Sequence, residues 1–262
     1  RVSGLSWEAD KIVVGAVLEV MPHPNADRLV LCKLDDGSGI QIVLTGAPNL
    51  LPFKGSGPLP KPIKVAYARE GAKIYDGHQP GQVLMTLKRA RIRGVESYSM
   101  ACSEKELGIS DDHEGIIFLD DDAPVGMPLA DYMGDAVLEI NLTPNVARDA
   151  NMLGVAREIA ALTGQKLRLP EGFYDYPTAG PAIKGQAAIQ ITNPALNPRF
   201  VVGLIEGITI GDSPYWMQRR LKLAGMRPIS NIVDVTNYVM LEVGEPLHAF
   251  DYTVLVERAE GS

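Results

Sequence analysis

The first hundred residues alternate between short apolar segments and polar turns. Five segments rich in β-branched and aliphatic residues are typical of strands, and they lie at 12–20, 29–34, 40–45, 63–68 and 84–93. Pro22 and Pro24 fix the backbone after the first segment, Asp36-Gly37 follows the second, and a Pro/Gly-rich loop at 55–62 follows the third. The pattern predicts a five-stranded OB-fold β-barrel, which binds oligonucleotides on its loops and one sheet face.

The last predicted strand has two different faces, because side chains alternate along a strand. One face carries Leu84, Thr86, Lys88, Ala90 and Ile92, and the other carries Met85, Leu87, Arg89, Arg91 and Arg93. The second face is rich in arginine. Contact with phosphate groups needs only charge, so these residues are candidates for binding a nucleic-acid backbone.

Helical signals follow the strands. Ser103 and Glu106 have the spacing of a capping box and predict a short helix that stops at Gly108. Apolar residues at helical spacing predict a longer helix over 151–162, which Gly164 ends in a left-handed conformation.

The C-terminal third mixes strand and helix signals. Ser213-Pro214 predicts an N-cap followed by a proline at the first helical position, so a helix is expected over 216–224, with Gly225 as its stop. A second helix is expected over 231–241, ending before Gly244.

Residues 165–185 contain several prolines and glycines and are expected to link two domains, with a boundary near residue 172. Two strands are predicted after this linker, at 188–192 and 201–208.

Charge is unevenly distributed along the chain. The net charge of −7 argues against a protein that holds nucleic acid by bulk electrostatics. Residues 50–95, however, have a local balance of +7, whereas residues 96–139 have one of −11. This asymmetry is compatible with one face that meets RNA and another that faces a different partner. Two solvated faces that bind nothing are the alternative.

The cysteines and histidines argue against two classes of site. Cys32 and Cys102 show no CxxC spacing and the four histidines are scattered, so neither a zinc site nor a disulfide framework is expected. Both cysteines are predicted to be buried thiols. The apolar stretches are too short for a bilayer span and the N-terminus lacks a signal-peptide pattern, which favours a cytoplasmic protein without membrane contact.

Several blocks of sequence resemble one family. They are PHPNADRL at 22–29, CSEKELG at 102–108, TPN at 143–145, WMQ at 216–218, MRPI at 226–229, NIVDVTNY at 231–238 and PLHAFD at 246–251. In this order they resemble the β subunit of bacterial phenylalanyl-tRNA synthetase. The first block is similar to its tRNA-binding OB module, and the blocks after residue 215 are similar to its editing module. The likeness covers nearly the whole chain.

The resemblance implies an α+β multidomain fold. Residues 1–10 would end an N-terminal region and residues 11–122 would form the OB-fold tRNA-binding domain. Residues 123–171 would form a connecting α+β segment with a helix, and residues 172–262 the first half of a mixed α+β editing domain. The family continues after 143–145 with Arg-Pro-Asp, whereas this chain has Val146-Ala147-Arg148-Asp149, so the role of that arginine is left open.

The family resemblance also implies a function. The chain would be a fragment of a phenylalanine–tRNA ligase β subunit that contributes tRNA binding and part of the site that hydrolyses mischarged Tyr-tRNA(Phe). Its partners would be tRNA(Phe) and the α subunit, in an α2β2 enzyme that uses ATP and Mg2+. Aminoacylation would be performed by α, so this segment would bind no cofactor or metal and would be inactive in that reaction alone.

Candidate tRNA-binding residues come from the basic stretch and from the first loop of the barrel. They are Lys88, Arg89, Arg91, Arg93, His23, Asn25 and Arg28. For the loop residues there is an alternative: the proline-rich sequence forms a rigid turn, in which Asn25 and Asp27 hydrogen-bond their own backbone.

The resemblance places Thr236, Asn237 and His248 in the lining of the editing site. Asn237 would hydrogen-bond the amino-acid or ribose end, Thr236 would help order a water, and His248 would orient the terminal adenosine or the attacking water. Their alternative roles are structural: the histidine ties a loop to a helix end, and the two helical residues satisfy nearby backbone.

Two other functions compete with this interpretation. One is a stand-alone tRNA-binding OB protein that acts as a docking cofactor, although such a protein has no use for residues 216–251. The other is a structural spacer that holds subunits in place.

Overall fold

The computed structural model describes residues 2–170, 183 and 185–260. Over these residues it contains eleven strands and five α-helices. The strands are β1 (Val2–Leu5), β2 (Ile12–His23), β3 (Ala26–Asp35), β4 (Ile40–Thr45), β5 (Pro58–Ala68), β6 (Lys73–Tyr75), β7 (Leu84–Thr86), β8 (Ala90–Ile92), β9 (Val95–Ser97), β10 (Met100–Ala101) and β11 (Asp135–Leu138). The helices are α1 (Leu129–Met133), α2 (Met152–Thr163), α3 (Tyr215–Leu223), α4 (Asn231–Val243) and α5 (Tyr252–Glu260).

The chain divides into two compact units. Unit 1 contains residues 1–141 and 214–228, and unit 2 contains residues 142–213 and 229–262, each as far as its residues are described. Helix α3 is therefore part of unit 1, although it lies between segments of unit 2 in the sequence. In the described part of the chain no helix is long and apolar enough to cross a membrane.

A five-stranded antiparallel sheet with the order β10-β5-β2-β3-β4 forms the centre of unit 1. The central strand β2 pairs with β5, with Val14 opposite Ala66, and with β3, with Val20 opposite Cys32. Two clusters of buried side chains pack against this sheet, and both cysteines are buried in them as predicted. The predicted strands at 12–20, 29–34, 40–45 and 63–68 are confirmed.

The predicted strand at 84–93 is wrong. This segment forms two short strands, β7 and β8, which pair with β6 and β9 instead of joining the five-stranded sheet, and β10 is the fifth strand of that sheet. Arg93 and Gly94 have φ values of 49° and 92°, so the chain reverses there in a two-residue hairpin turn. The arginines therefore do not share one face of a long strand. Residues 84–86 and 90–92 are exposed, so the alternation of polar and apolar side chains along them does not indicate a buried face.

The predictions for α2, α3 and α4 are confirmed within one or two residues. The N-cap of α2 is Asn151, whose Oδ1 accepts a hydrogen bond from the Gly154 N–H at 2.7 Å. Its C-cap Gly164 has a φ of 67°, and Gly244 after α4 has one of 84°. Both glycines adopt the left-handed conformation that ends a helix.

Two predicted helix starts are wrong. Ser103 and Glu106 make the two hydrogen bonds of a capping box, from the Ser103 N–H to the Glu106 carboxylate at 2.6 Å and from the Glu106 N–H to the Ser103 hydroxyl at 3.5 Å, but no helix follows. The Ile109 N–H bonds to the carbonyl of Glu104, five residues back rather than the four of an α-helix, so the segment closes as a turn. The N-cap residue of α3 is Pro214 rather than Ser213, and the Ser213 hydroxyl donates to Asp234 at 2.5 Å.

The predicted strands at 188–192 and 201–208 are also wrong, since these described residues pair with no strand. Of the linker predicted at 165–185, residues 171–182 and 184, including the boundary near 172, lie outside the described residues. Helix α5 and the pairing of β1 with β11 were not predicted from the sequence.

Candidate functional sites

The tips of two hairpins in unit 1 are joined by one hydrogen bond. The Asn25 side-chain amide, between β2 and β3, donates to the carbonyl oxygen of Arg93, between β8 and β9, at 3.2 Å. The Asn25 backbone N–H donates in turn to His23 Nδ1 at 3.0 Å. These contacts bring together His23, Asn25 and Arg93, which the sequence placed in separate parts of the predicted interface.

His23 is buried beside this contact between the two hairpin tips. Its side chain is 6% exposed, and its Nδ1 is occupied as an acceptor by the Asn25 N–H. Its Nε2 has no hydrogen-bond partner among the described residues. His23 is therefore buried within the turn, whereas Asn25 and Arg28 are exposed.

Seven of the nine basic residues in the 50–95 stretch fall into two groups. Ion pairs join Lys61 to Asp121, Arg69 to Asp36, Lys73 to Glu8 and Arg89 to Glu70. Lys88, Arg91 and Arg93, by contrast, are exposed and make no ion pair with any described residue. Arg28, on β3, is also exposed and also makes no ion pair with a described residue. Free positive charge is therefore present on β3, between β7 and β8, on β8 and at the tip of the β8–β9 hairpin.

Arg89 differs from its neighbours. It bonds to the Glu70 carboxylate at 2.9 Å and lies 3.5 Å from that of Glu96. Its guanidinium also lies over the Tyr98 ring, 4.5 Å from the centroid, and the hydrogen bond from Arg89 lowers the pKa of Glu70. Arg91 stands opposite Glu96 in the β8–β9 ladder, but among the described residues Glu96 forms its ion pair with Arg89. The charge of Arg89 is thus offset within the protein.

The three predicted editing residues lie in unit 2. Thr236 and Asn237 are half-buried on α4, and His248 is exposed between α4 and α5. The Thr236 hydroxyl donates to the carbonyl of Val233 at 2.7 Å, and the His248 ring packs edge-on against Phe250 at 4.5 Å. Neither the Asn237 amide nor the His248 ring nitrogens form a hydrogen bond with a described residue, so both side chains have unused polar groups. The structure records no contact that brings His248 to the helical pair.

Sequence reasoning missed the polar residues at the start of α4. Asp234 is 1% exposed and accepts hydrogen bonds from the Ser213 hydroxyl at 2.5 Å and the Ile229 N–H at 2.8 Å. Asn231 donates to the carbonyl of Thr209 at 2.9 Å. The sequence signal for them was the presence of two short polar side chains, Asn231 and Asp234, about one turn apart at the N-terminus of a predicted helix.

Unit 2 exposes many apolar side chains. A shallow groove is lined by Ile189, Ile191, Asn193, Leu196, Asn197 and Phe200.

In the stretch 146–149, which differs from the family pattern, Arg148 bonds to Glu158 of α2 at 2.6 Å. Among the described residues, no three His, Cys, Asp or Glu side chains are placed to hold a metal ion.

Two family models match the chain. Residues 12–55 match the model described as "Putative tRNA binding domain", which covers the β2–β3 hairpin, and residues 196–260 match the model described as "B3/4 domain", which covers α3, α4 and α5. The first match includes Asn25 and Arg28, and the second includes Thr236, Asn237 and His248.

Curated relatives match almost the whole chain. The phenylalanine–tRNA ligase β subunit of Dehalococcoides mccartyi (strain ATCC BAA-2266) is 50% identical over 96% of this chain and 30% of its own length. Those of Moorella thermoacetica and Geobacter sulfurreducens are 45% and 43% identical, over 94% and 95% of this chain and 29% and 30% of their own lengths. The chain therefore spans about 30% of the length of the relatives it matches.

Proposed function

Because the chain belongs to the phenylalanine–tRNA ligase β subunit family along 96% of its length, we propose that it contributes tRNA binding and part of the editing site to such an enzyme. In the complete protein it would work with an α subunit as an α2β2 ligase in the cytoplasm. That enzyme would use ATP and Mg2+ and transfer phenylalanine to tRNA(Phe). The chain itself would hold no catalytic group for aminoacylation.

One observation carries the tRNA-binding part of the proposal: the hydrogen bond that joins the Asn25 and Arg93 hairpin tips, next to arginines that make no ion pair with a described residue. In an OB-fold the loop between the first two strands and the loop before the fifth strand form the ligand-binding edge. These correspond to the β2–β3 tip and the β8–β9 hairpin. Contacts between the two outer strands of the sheet, β4 and β10, support closure of the sheet into such a barrel.

We assign the phosphate contact to Arg91 and Arg93, with support from Lys88 and Arg28. A cation that is already paired releases fewer counterions on binding, so Arg89 would contribute less than its neighbours. With few aromatic side chains at this edge, binding would depend on backbone charge more than on base stacking.

The test is binding of tRNA(Phe) to this chain across a salt series, beside a non-cognate tRNA. Arg91→Gln and Arg93→Gln are expected each to weaken binding to both tRNAs and to reduce the salt slope by about 1. Arg89→Gln is the matched control and should change both quantities less. If the substitutions leave the affinity unchanged but weaken assembly with the α subunit, the module is a structural spacer.

The editing part of the proposal depends on Asn237, Thr236 and His248. An apolar amino-acid pocket rejects an added hydroxyl only about a hundredfold, so a separate site that hydrolyses Tyr-tRNA(Phe) is physically reasonable. Asn237 has a free amide for the substrate, and exposed His248 is accessible to the terminal adenosine or to a water. Because the Thr236 hydroxyl already donates its hydrogen bond to the carbonyl of Val233, it would bind a water only as an acceptor.

A full-length β subunit that carries this segment, assembled with α, tests this part. His248→Ala and Asn237→Ala should slow hydrolysis of Tyr-tRNA(Phe) and spare the synthesis of Phe-tRNA(Phe). Equal loss of both reactions would indicate a folding defect and would count against the assignment.

A further inference from the structure

Two side chains in the first turn of α4 hold the chain on both sides of α3. Asn231 binds the preceding segment through the carbonyl of Thr209, at 2.9 Å, and its own N–H donates to the carbonyl of Gly211, at 2.8 Å. Asp234 accepts from Ser213 before α3 and from Ile229 after it. We refer to Asn231 and Asp234 as the α4 clamp.

The clamp replaces an ordinary helix cap. Ser230 is the N-cap residue of α4, but its side chain makes no capping hydrogen bond, so that common means of fixing a helix start is absent. Asp234 is almost fully buried, and both of its oxygens accept from donors outside the helix. A buried carboxylate with two such bonds fixes its surroundings strongly, because each donor left without it would be unsatisfied.

Asn237 follows Asp234 by three residues in the same helix, which is less than one turn. Its Cα position and side-chain direction are therefore set by how the first turn of α4 is anchored. The side chain of Asp234 is enclosed by the protein and does not itself reach a substrate.

We propose that Asp234 is a positioning residue for hydrolysis of mischarged tRNA: by holding residues 213 and 229, it fixes the start of α4 and thereby places the Asn237 amide. This inference depends on the proposed editing function. Asn231 acts in the same way on residues 209 and 211. Positioning of this kind affects the rate of the chemical step more than binding, since a displacement of about 1 Å can cost about a hundredfold in rate.

The test compares Asp234→Ala with Asp234→Asn in a full-length β subunit that carries this segment, assembled with α. Asparagine keeps an oxygen for the Ile229 N–H and an amide for the Ser213 hydroxyl, whereas alanine keeps neither. For Asp234→Ala, kcat for hydrolysis of Tyr-tRNA(Phe) should fall at least about tenfold while KM changes less than about threefold, and Phe-tRNA(Phe) synthesis should be retained. Asp234→Asn should restore kcat to within about threefold of the wild type.

Asp36→Ala serves as a matched control, because Asp36 is a carboxylate of unit 1 that is 2% exposed and also accepts several hydrogen bonds. It should lower the melting temperature without lowering kcat for hydrolysis in the folded enzyme. If Asp234→Ala behaves like Asp36→Ala, with a lower melting temperature and an unchanged kcat, the positioning role is refuted. If the unsubstituted enzyme fails to hydrolyse Tyr-tRNA(Phe), the proposed editing function fails, and the positioning role with it.

Discussion

The side-chain amide of Asn25 lies 3.2 Å from the carbonyl oxygen of Arg93 and donates a hydrogen bond to it across 68 residues of sequence. Arg93 has the left-handed φ of 49°, which is uncommon for a residue other than glycine. The bond therefore holds a backbone conformation that arginine does not prefer, beside the exposed cations of the β8–β9 hairpin.

Replacement of Asn25 by alanine should weaken tRNA(Phe) binding without changing its salt dependence. The lost hydrogen bond is worth about 1 kcal/mol, so the affinity should fall by at most about fivefold. No cation is removed, so the slope of log K against log salt should stay the same. Titrations at three or more salt concentrations provide the measurement. A slope reduced as much as by Arg91→Gln would contradict this account.

Asp36→Asn should destabilise the protein at neutral pH and lose its effect in acid. Burial alone would raise the pKa of Asp36, but hydrogen bonds from Ser38 and Arg69 outweigh it and lower the pKa below its ordinary 3.8. A lowered pKa stabilises the fold above the unfolded-state value, and this contribution is lost as the pH falls through the folded-state value. We expect a loss of about 1.5–3 kcal/mol at pH 7 that shrinks below about pH 3.8.

Urea unfolding at several pH values between 7 and 3 measures this effect. Asp121→Asn is the control, because Asp121 and its partner Lys61 are both largely exposed, and it should change the free energy of unfolding by less than about 1 kcal/mol. A loss in Asp36→Asn that is constant from pH 7 to pH 3 would show that the charge of the carboxylate is not involved.

Lys222→Met should destabilise unit 1 more than the double substitution with Glu104→Gln. The Lys222 ammonium lies 2.6 Å from the Glu104 carboxylate, whose side chain is 9% exposed. Removing the lysine alone leaves a buried carboxylate without its cation, which costs about 3 kcal/mol or more. The second substitution removes that charge, so part of the stability should return.

A double-mutant cycle by urea unfolding measures this coupling. The exposed pair of Arg148 and Glu158 is at the same distance, with side chains 64% and 42% exposed, and its cycle should give less than about 1 kcal/mol. Equal coupling energies in the two cycles would show that burial does not control this interaction.

Both cysteines should resist alkylation in the folded protein. Burial raises the pKa of Cys32 from 9.0 to about 12 and that of Cys102 well above 9.0. Since the thiolate is the reactive form, the thiolate fraction of Cys32 at pH 8 falls about a thousandfold. Iodoacetamide labelling followed by mass spectrometry should show almost no modification in buffer and modification of both residues in urea. Fast labelling of Cys32 in buffer would contradict its burial.

The sequence predicted the fold best where an apolar run coincides with burial. Residues 12–17 of β2 are all buried, and a short continuous apolar run is typical of a strand covered on both faces. Residues 84–93 alternate instead and are mostly exposed, so their pattern predicts one strand and does not show the turn at Arg93-Gly94. Helices α2 and α4 were predictable because a left-handed glycine ends each of them.

The sequence could predict which types of residue form the candidate sites, but not which of their side chains contact one another. Short-range sequence contains no information on which cation meets a carboxylate, so Arg89 could not be separated from Arg91 before the positions of Glu70 and Glu96 were known. In the same way, the sequence around Ser213 does not show that its hydroxyl donates to Asp234, 21 residues later. Long-range hydrogen bonds of this kind leave no local signal.

The assignment of α3 to unit 1 has a consequence for biosynthesis. Its Leu221 is fully buried, and Tyr215 and Leu223 pack against the same apolar cluster as the sheet. Roughly ninety residues separate the end of the first segment of unit 1 from the end of its second segment. Translation at about 5–20 residues per second therefore takes about 5–20 s to complete unit 1 after its first segment is made. The nascent unit 1 therefore leaves the ribosome with part of its apolar cluster uncovered, and it completes its folding only when most of unit 2 has also been translated.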